Sequence, residues 1–216
     1  MTPPFLYNLS GQKLWLSAQR ALFWEERKAL VLSDLHFGKT GHFRKAGIAV
    51  PQNVYKEDLQ RLVSLLHYFG PEQLIAVGDL FHSSNNRELD WFLRWRNDFS
   101  GLAVHLVRGN HDILEDSWYR TAGISVWEEP LTDGPFRFVH DPEAGTGGQY
   151  SFCGHIHPGV TIQGLGRQTL RFPCFYFGAD HCILPAFSKF TGLVSLPAAG
   201  TRSVFALVEN SIIPIT

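Results

Sequence analysis

Histidine and carboxylate side chains recur in five short clusters: Asp34-Leu35-His36, Gly78-Asp79-Leu80-Phe81-His82, Gly109-Asn110-His111-Asp112, Val139-His140 and Gly154-His155-Ile156-His157. Oxygen and imidazole donors with no thiolate among them suit Mn, Fe or Zn dications, and the lack of sulfur argues against a structural zinc site. Together the clusters offer enough donors for two ions. Only a carboxylate among them can span two cations about 3.5–4 Å apart. Asp34 and His36 stand two residues apart, as do His155 and His157. On an extended segment each pair would point both side chains the same way.

Such donors need a sheet to converge them. The first four clusters each end a β-rich run (Ala29 to Ser33, Leu74 to Val77, Val104 to Val107, Arg137 to Val139), which puts them at strand-to-loop junctions. Before them, Phe5 to Tyr7, Lys13 to Leu16 and Ala21 to Trp24 are broken by Ser10-Gly11 and Glu25-Glu26 and read as antiparallel hairpins. Helical apolar spacing runs from Val54 through Leu59, Leu62, Val63 and Leu66 to Phe69, with Pro51 at its start and Gly70-Pro71 at its end. A second helix is predicted from about Arg87 to Phe99. Strands alternating with helices imply parallel pairing. After residue 123 short strands follow one another between Gly and Pro, with Asp141 to Gly148 as a loop. The predicted architecture is α/β: a two-sheet β-sandwich flanked by helices, in αββα layers, with the clusters at one rim.

At 216 residues and 44% hydrophobic content the chain can bury the core of a single domain spanning 1–216. With 19 basic against 20 acidic residues, the bulk charge does not announce a nucleic-acid partner. Beyond residue 144, however, Arg167, Arg171, Lys189 and Arg202 face only Asp180 and Glu209, and two dications would shift the formal balance from -1 to +3. Cys153, Cys174 and Cys182 form no Cys-x-x-Cys pair and read as small buried residues in a reducing compartment. No signal-like start and no membrane-length apolar run is present, so a cytoplasmic location without membrane contact is expected.

The order and content of the clusters resemble the calcineurin-like metallophosphoesterase superfamily. The resemblance implies that Asp34, His36 and His157 hold one metal, that Asn110, His140 and His155 hold the other, and that Asp79 bridges them. It implies in-line attack on phosphorus by a metal-bridging hydroxide, with His111 facing the scissile phosphate and His82 approaching it, as in nuclease branches. Asp112, next to His111, is expected to fix the imidazole tautomer.

A narrower likeness covers nearly the whole chain. Leu35-His36-Phe37-Gly38-Lys39, Phe43-Arg44-Lys45-Ala46-Gly47-Ile48, Val107-Arg108-Gly109-Asn110-His111-Asp112, Leu170-Arg171-Phe172-Pro173-Cys174-Phe175, and Leu184-Pro185-Ala186-Phe187 followed by Phe190-Thr191-Gly192 resemble bacterial ligase-associated DNA damage response endonucleases. That likeness implies Mn-dependent cleavage of DNA and a link to a DNA ligase and a helicase. Ser188 and Leu193 stand where glycines are expected in that branch.

Lys39, Arg44, Lys45 and Arg108 lie beside the metal motifs and are candidate phosphate contacts, against the plainer reading of a solvated face for His42, Arg44 and Lys45. His67, His105 and His181 lack a supporting motif. Trp91 and Trp95 are expected to pack on the sheet, and Phe175, Tyr176 and Phe177 to be core, with Tyr176 on the opposite face from the other two. The same site could instead serve a nucleotide pyrophosphate, cyclic nucleotide or phosphomonoester, or the domain could be a docking module.

Overall fold

The computed structural model describes residues 2–39, 53–82, 87–128, 130–144, 147–164, 168–197 and 202–215. His42, Arg44, Lys45 and Pro51 lie outside them. The chain opens with antiparallel strands β1 (Phe5–Leu9), β2 (Gln12–Ser17) and β3 (Ala21–Trp24), leading into β4 (Ala29–Leu32). From there the pairing turns parallel, through β5 (Gln73–Val77), β6 (Ala103–Val107) and β7 (Ile124–Trp127). Parallel neighbours need a long crossover. Helices α1 (Asn53–Phe69) and α2 (Arg87–Asp98) lie in two of those connections, and a short α3 (Asp116–Thr121) lies in the third. The predicted helices form, whereas α3 has too few turns for its apolar spacing to stand out in sequence.

The second sheet takes β8 (Leu131–Asp133), β9 (Phe136–Val139), β10 (Tyr150–Cys153), β11 (Pro158–Gln163), β12 (Thr169–Phe177), β13 (His181–Ile183) and β14 (Val194–Ser195) in the order β14-β11-β12-β13-β10-β9-β8. Strand β15 (Ser203–Val208) adds to β12, and β16 (Ser211–Ile215) adds to β15. Here β10 lies parallel to both β9 and β13, so the histidine loops after β9 and β10 leave the same edge.

Strand alternation divides the core into layers. Ala29 and Val31 of β4, with Ile75 and Val77 of β5, face the second sheet and meet Phe136, Phe138, Phe152, Phe175 and Phe177. Leu30, Leu32, Leu74 and Ala76 face the other way, against Leu62, Leu65 and Leu66 of α1 and Phe92 and Trp95 of α2. Full burial of each such side chain is worth about 1.5–3 kcal/mol, so the face-to-face aromatic layer suffices to clamp the sheets. Tyr176 falls on the far face of the second sheet, with Cys174 and Val204, as strand alternation predicts. All three cysteines are free and buried.

The predicted two-sheet α/β sandwich flanked by helices forms. Among the described residues, the α-helices cover the outer face of the first sheet alone. The far face of the second carries its own apolar layer, in which Ile156, Ile162, Phe172, Leu196 and Ile215 pack against Val160, Cys174, Tyr176 and Val204. No segment beyond residue 123 has the helical apolar spacing that an outer helix would need. Trp91 departs from expectation: Trp95 is buried in the core, but Trp91 is 36% exposed and lines a groove with Leu59 and Val63 of α1.

Candidate metal centre

Strands β4, β5, β6, β9 and β10 deliver the clusters to one rim. Asp34 and Asp79 are buried, with His36 and His140 beside them. Ligand atoms of Asp34, His36 and His157 lie within 4.8 Å of one another, and so do those of Asp34, Asp79 and His140. His157 Nε2 is 3.4 Å from Asp34 Oδ1. Asp79 Oδ2 lies between the two sets, 3.9 Å from His36 Nε2 and 3.5 Å from His140 Nε2. Asn110 Oδ1 stands 3.1 Å from His140 Nε2 and 3.2 Å from His155 Nδ1. The seven candidate ligands therefore converge. Asp34 belongs to both groupings, which the expected division of ligands does not contain.

They do not converge by extended alternation. Asp34 (φ 54°), His36 (51°), Asp79 (51°), His155 (67°) and His157 (54°) all adopt left-handed backbone. Each such residue costs on the order of 1 kcal/mol, so the loops must be held. Asp34 N donates to Gly78 O at 3.1 Å, and His36 N to Asp79 O at 2.8 Å. His155 N donates to the Asp34 carboxylate at 3.2 Å. The first two loops are thus laced together by backbone, and the fifth is tied to the first through a candidate ligand.

Two glycines make room for this. A Cβ on Gly78 would fall onto the His140 ring, and one on Gly109 would fall onto the Asp79 carboxylate and amide. The signal stands in the chain, where glycine immediately precedes Asp79, Asn110 and His155.

The protonation chemistry suits cations. His140 Nδ1 lies 3.2 Å from the Val77 carbonyl, which only accepts, so Nδ1 carries the hydrogen and Nε2 is turned to Asp79 and Asn110. Burial pushes the His140 pKa down, but the hydrogen bond and charge of Asp79 prevail and hold it at about 9. Burial pushes Asp79 up, but His140, the His111 amide and His36 bring it to about 2. His36 is driven to about 2, mainly by burial and then by the charge of Lys39. Both His36 nitrogens are buried without a hydrogen-bond partner among the described residues. A neutral, orphaned imidazole beside two buried carboxylates is costly unless a cation takes its lone pair. The residues present fit divalent metals.

His82 and His111 stand apart from the ligand groups. Their ring centroids are 4.3 Å apart, and both face His36, at 5.2 and 5.4 Å. Asp112 does not fix the tautomer of His111. Its Oδ1 accepts the Phe81 amide and its Oδ2 the Gly109 amide, each at 2.9 Å. The carboxylate faces inward and ties the second motif loop to the third, and its burial raises its pKa to about 7.

The model of the calcineurin-like phosphoesterase family matches residues 27–186, a span that takes in all seven candidate ligands. The chain belongs to that family. It is a metal-dependent phosphoester hydrolase. The crystal structure of the nuclease MPE from Pseudomonas putida matches at 31% identity, covering 98% of this chain and 100% of that one, with a TM-score of 0.85. A conserved uncharacterized protein of Streptococcus pneumoniae TIGR4, a predicted phosphoesterase, matches at 14% identity over 82% of this chain and 80% of that one, with a TM-score of only 0.32. No curated protein sequence matches the chain.

In this phosphoesterase the candidate phosphate contacts divide. Lys39 is half-buried and feels both Asp79 and Asp34, although burial prevails and lowers its pKa. The Arg108 guanidinium is held by Asp116 at 2.6 Å and Glu128 at 2.7 Å, and lies over the Tyr119 ring. With Arg137 it lines a cavity of about 470 Å³ that also borders Asn110, His140 and His155. Arg137 is a lining residue that motif reading does not find, because it lies within a strand, three positions before His140. His105 contacts Trp127, and His181 pairs with Asp180. His67 is exposed on α1, and none of these three enters the metal groupings. Among the described residues, no helix is long and apolar enough to cross a membrane.

Proposed function

We propose that the chain is a nuclease: a dimetal phosphodiesterase that cuts DNA, with Mn as its working metal and Fe or Zn as substitutes. The observation that carries this reading is the match along essentially the full length of both chains to a nuclease at 31% identity. The cavity beside Asn110, His140 and His155 supports it, because about 470 Å³ with two arginines on its wall admits a nucleotide next to the metal ligands. A role in DNA repair with a ligase and a helicase rests on the motif resemblance, and a cytoplasmic location rests on the three free, buried cysteines.

In this reading Asp34, His36 and His157 would hold one ion, Asn110, His140 and His155 the other, and Asp79, whose Oδ2 lies between His36 and His140, would serve both. Two divalent cations there would activate water for attack on phosphorus and neutralise charge on the phosphoryl oxygens. The protein supplies the rest. His111 and His82, paired at 4.3 Å and facing His36, form an imidazole wall that can donate hydrogen bonds to the phosphate and a proton to the departing oxygen. Asp112 holds the loops that carry them. Lys39 adds positive charge next to His36.

The test is cleavage by chelator-treated protein reloaded with Mn, offered single-stranded DNA, duplex DNA, an aryl phosphodiester and a phosphomonoester. Mn-dependent DNA cuts that vanish in His111→Ala are expected. Turnover of the small esters alone would move the substrate to a small nucleotide or other phosphate ester.

A further inference from the structure

The segment Leu184-Pro185-Ala186-Phe187-Ser188 contributes no metal donor, yet it lies against the first metal loop. Ser33 pairs with Ala186 in a parallel bridge, the Phe187 amide donates to Ser33 O at 2.8 Å, and the Ser188 amide donates to Asp34 O at 3.1 Å. Two guanidinium groups grip the carbonyls of this strap. Arg20 Nη1 donates to Ala186 O at 3.2 Å and to Ser188 O at 2.8 Å, while Arg61 Nη2 donates to Phe187 O. Three successive carbonyls are thus each held by a cation, and charge-assisted hydrogen bonds are the strong kind.

Asp58 completes the cluster. Its carboxylate pairs with Arg61 at 3.0 Å and accepts from the Ser188 hydroxyl and the Lys189 amide. Asp58 and Arg61 lie on one face of α1 and are 4% and 7% exposed. The Arg61 guanidinium stacks on the Phe187 ring at 4.1 Å. Arg20 reaches the strap from the turn between β2 and β3, where its own backbone is left-handed (φ 65°). Burying the Asp58–Arg61 pair under the strap, with the half-buried Arg20 beside it, is costly for stability alone. Ser188 has no left-handed backbone, so the expected glycine is not needed there, and its hydroxyl serves Asp58 instead. Arg20 precedes the span matched by the family model, and Phe187 and Ser188 follow it.

We propose that Arg20, Asp58 and Arg61 are positioning residues for the metal ligand Asp34, acting through the 186–188 strap to hold its strained backbone and thereby set the affinity of the ion shared by Asp34, His36 and His157. The inference rests on the dimetal reading. Asp34 sits at a left-handed turn between two hydrogen-bonding partners, its amide on Gly78 O and its carbonyl on Ser188 N. Loosening the strap frees one of these and lets the carboxylate drift from the histidines.

The experiment is Mn titration calorimetry on the full chain, with steady-state kinetics alongside, for wild type, Arg20→Met, Arg20→Lys and Ser188→Gly. The control is Val204→Ala, a cavity in the second sheet's far layer, compared with Arg20→Met where both lose similar thermal stability. Wild type should bind two ions. Arg20→Met should weaken one of them tenfold or more and lower kcat with KM unchanged, with kcat recovering at high Mn. Arg20→Lys should restore most of the affinity, and Ser188→Gly, which keeps the guanidinium contacts, should weaken the same ion two- to fivefold. Native affinity for both ions in Arg20→Met and Ser188→Gly, or an equal loss in Val204→Ala, overturns the inference while leaving the metal reading intact. A wild-type chain that binds no Mn overturns both.

Discussion

The backbone amide of His111 donates to Asp79 Oδ1 at 2.9 Å. The carboxylate oxygen turned away from the histidine ligands is therefore fixed by the main chain of the residue whose ring faces the proposed phosphate site. Removing the ring leaves that amide in place. His111→Ala should bind two Mn ions with near-native affinity while kcat falls by about 10²–10⁴-fold, the usual worth of a positioned acid or base. Metal content by elemental analysis beside single-turnover cleavage separates the two effects. Loss of an ion would make His111 a ligand.

Asp79 behaves differently because one of its oxygens faces His36 of one set and His140 of the other. Asp79→Ala should release both ions. It also strands the His111 amide and removes the partner that holds His140 near pKa 9. The His140 imidazole should then titrate well below 9, a change that NMR of labelled histidine would detect. Retention of two ions would end the bridging role.

The fold was legible where the apolar period ran long enough to decide, as in α1, α2 and the alternating runs of β4 and β5. It was not legible in α3, whose six residues make too few turns to show a face. The candidate ligands were legible because the chemistry restricts them to His, Asp and Asn at loop starts. Their geometry was not, since five left-handed residues look identical in sequence to five extended ones. Asp112 shows the same limit: its neighbour in sequence is His111, but its partners are amides at Phe81 and Gly109. Arg20, the Asp58–Arg61 pair and the 186–188 strap come from three distant stretches of chain, and only the pair on α1 is local.

Acid–base linkage gives a prediction for metal-free protein. His140, raised from 6.5 to about 9, contributes stability that is complete below pH 6.5 and is lost as pH rises through 9. Asp112, raised from 3.8 to about 7, acts in the same direction at lower pH. His36 and Asp79, both near 2, act oppositely, contributing stability that is lost as pH falls. Urea midpoints in chelator should therefore drop between pH 6.5 and 9. The loss should correspond to a few kcal/mol, because each tenfold change in proton affinity between folded and unfolded chain is worth about 1.4 kcal/mol. With Mn bound, the cation takes the proton's place at Nε2 and that part of the slope should flatten. A midpoint that rises over this range would contradict the His140–Asp79 pairing.

Gly109 offers a test that removes no ligand. A methyl group there would land on the Asp79 carboxylate and on its amide, and backbone cannot yield as the tip of a flexible side chain does. The same residue's amide donates to Asp112, so displacing it also loosens the tie between the second and third loops. Gly109→Ala should thus lose Mn affinity at both sites by tenfold or more, with destabilisation of about 1–3 kcal/mol from overpacking. Gly101→Ala is the matched control, because a Cβ at Gly101 meets nothing within 4 Å. If Gly109→Ala loses stability but binds two ions as the control does, then the close approach of the third loop to Asp79 serves folding only, and the placement of Asp79 must depend on the His36 and His111 amides alone.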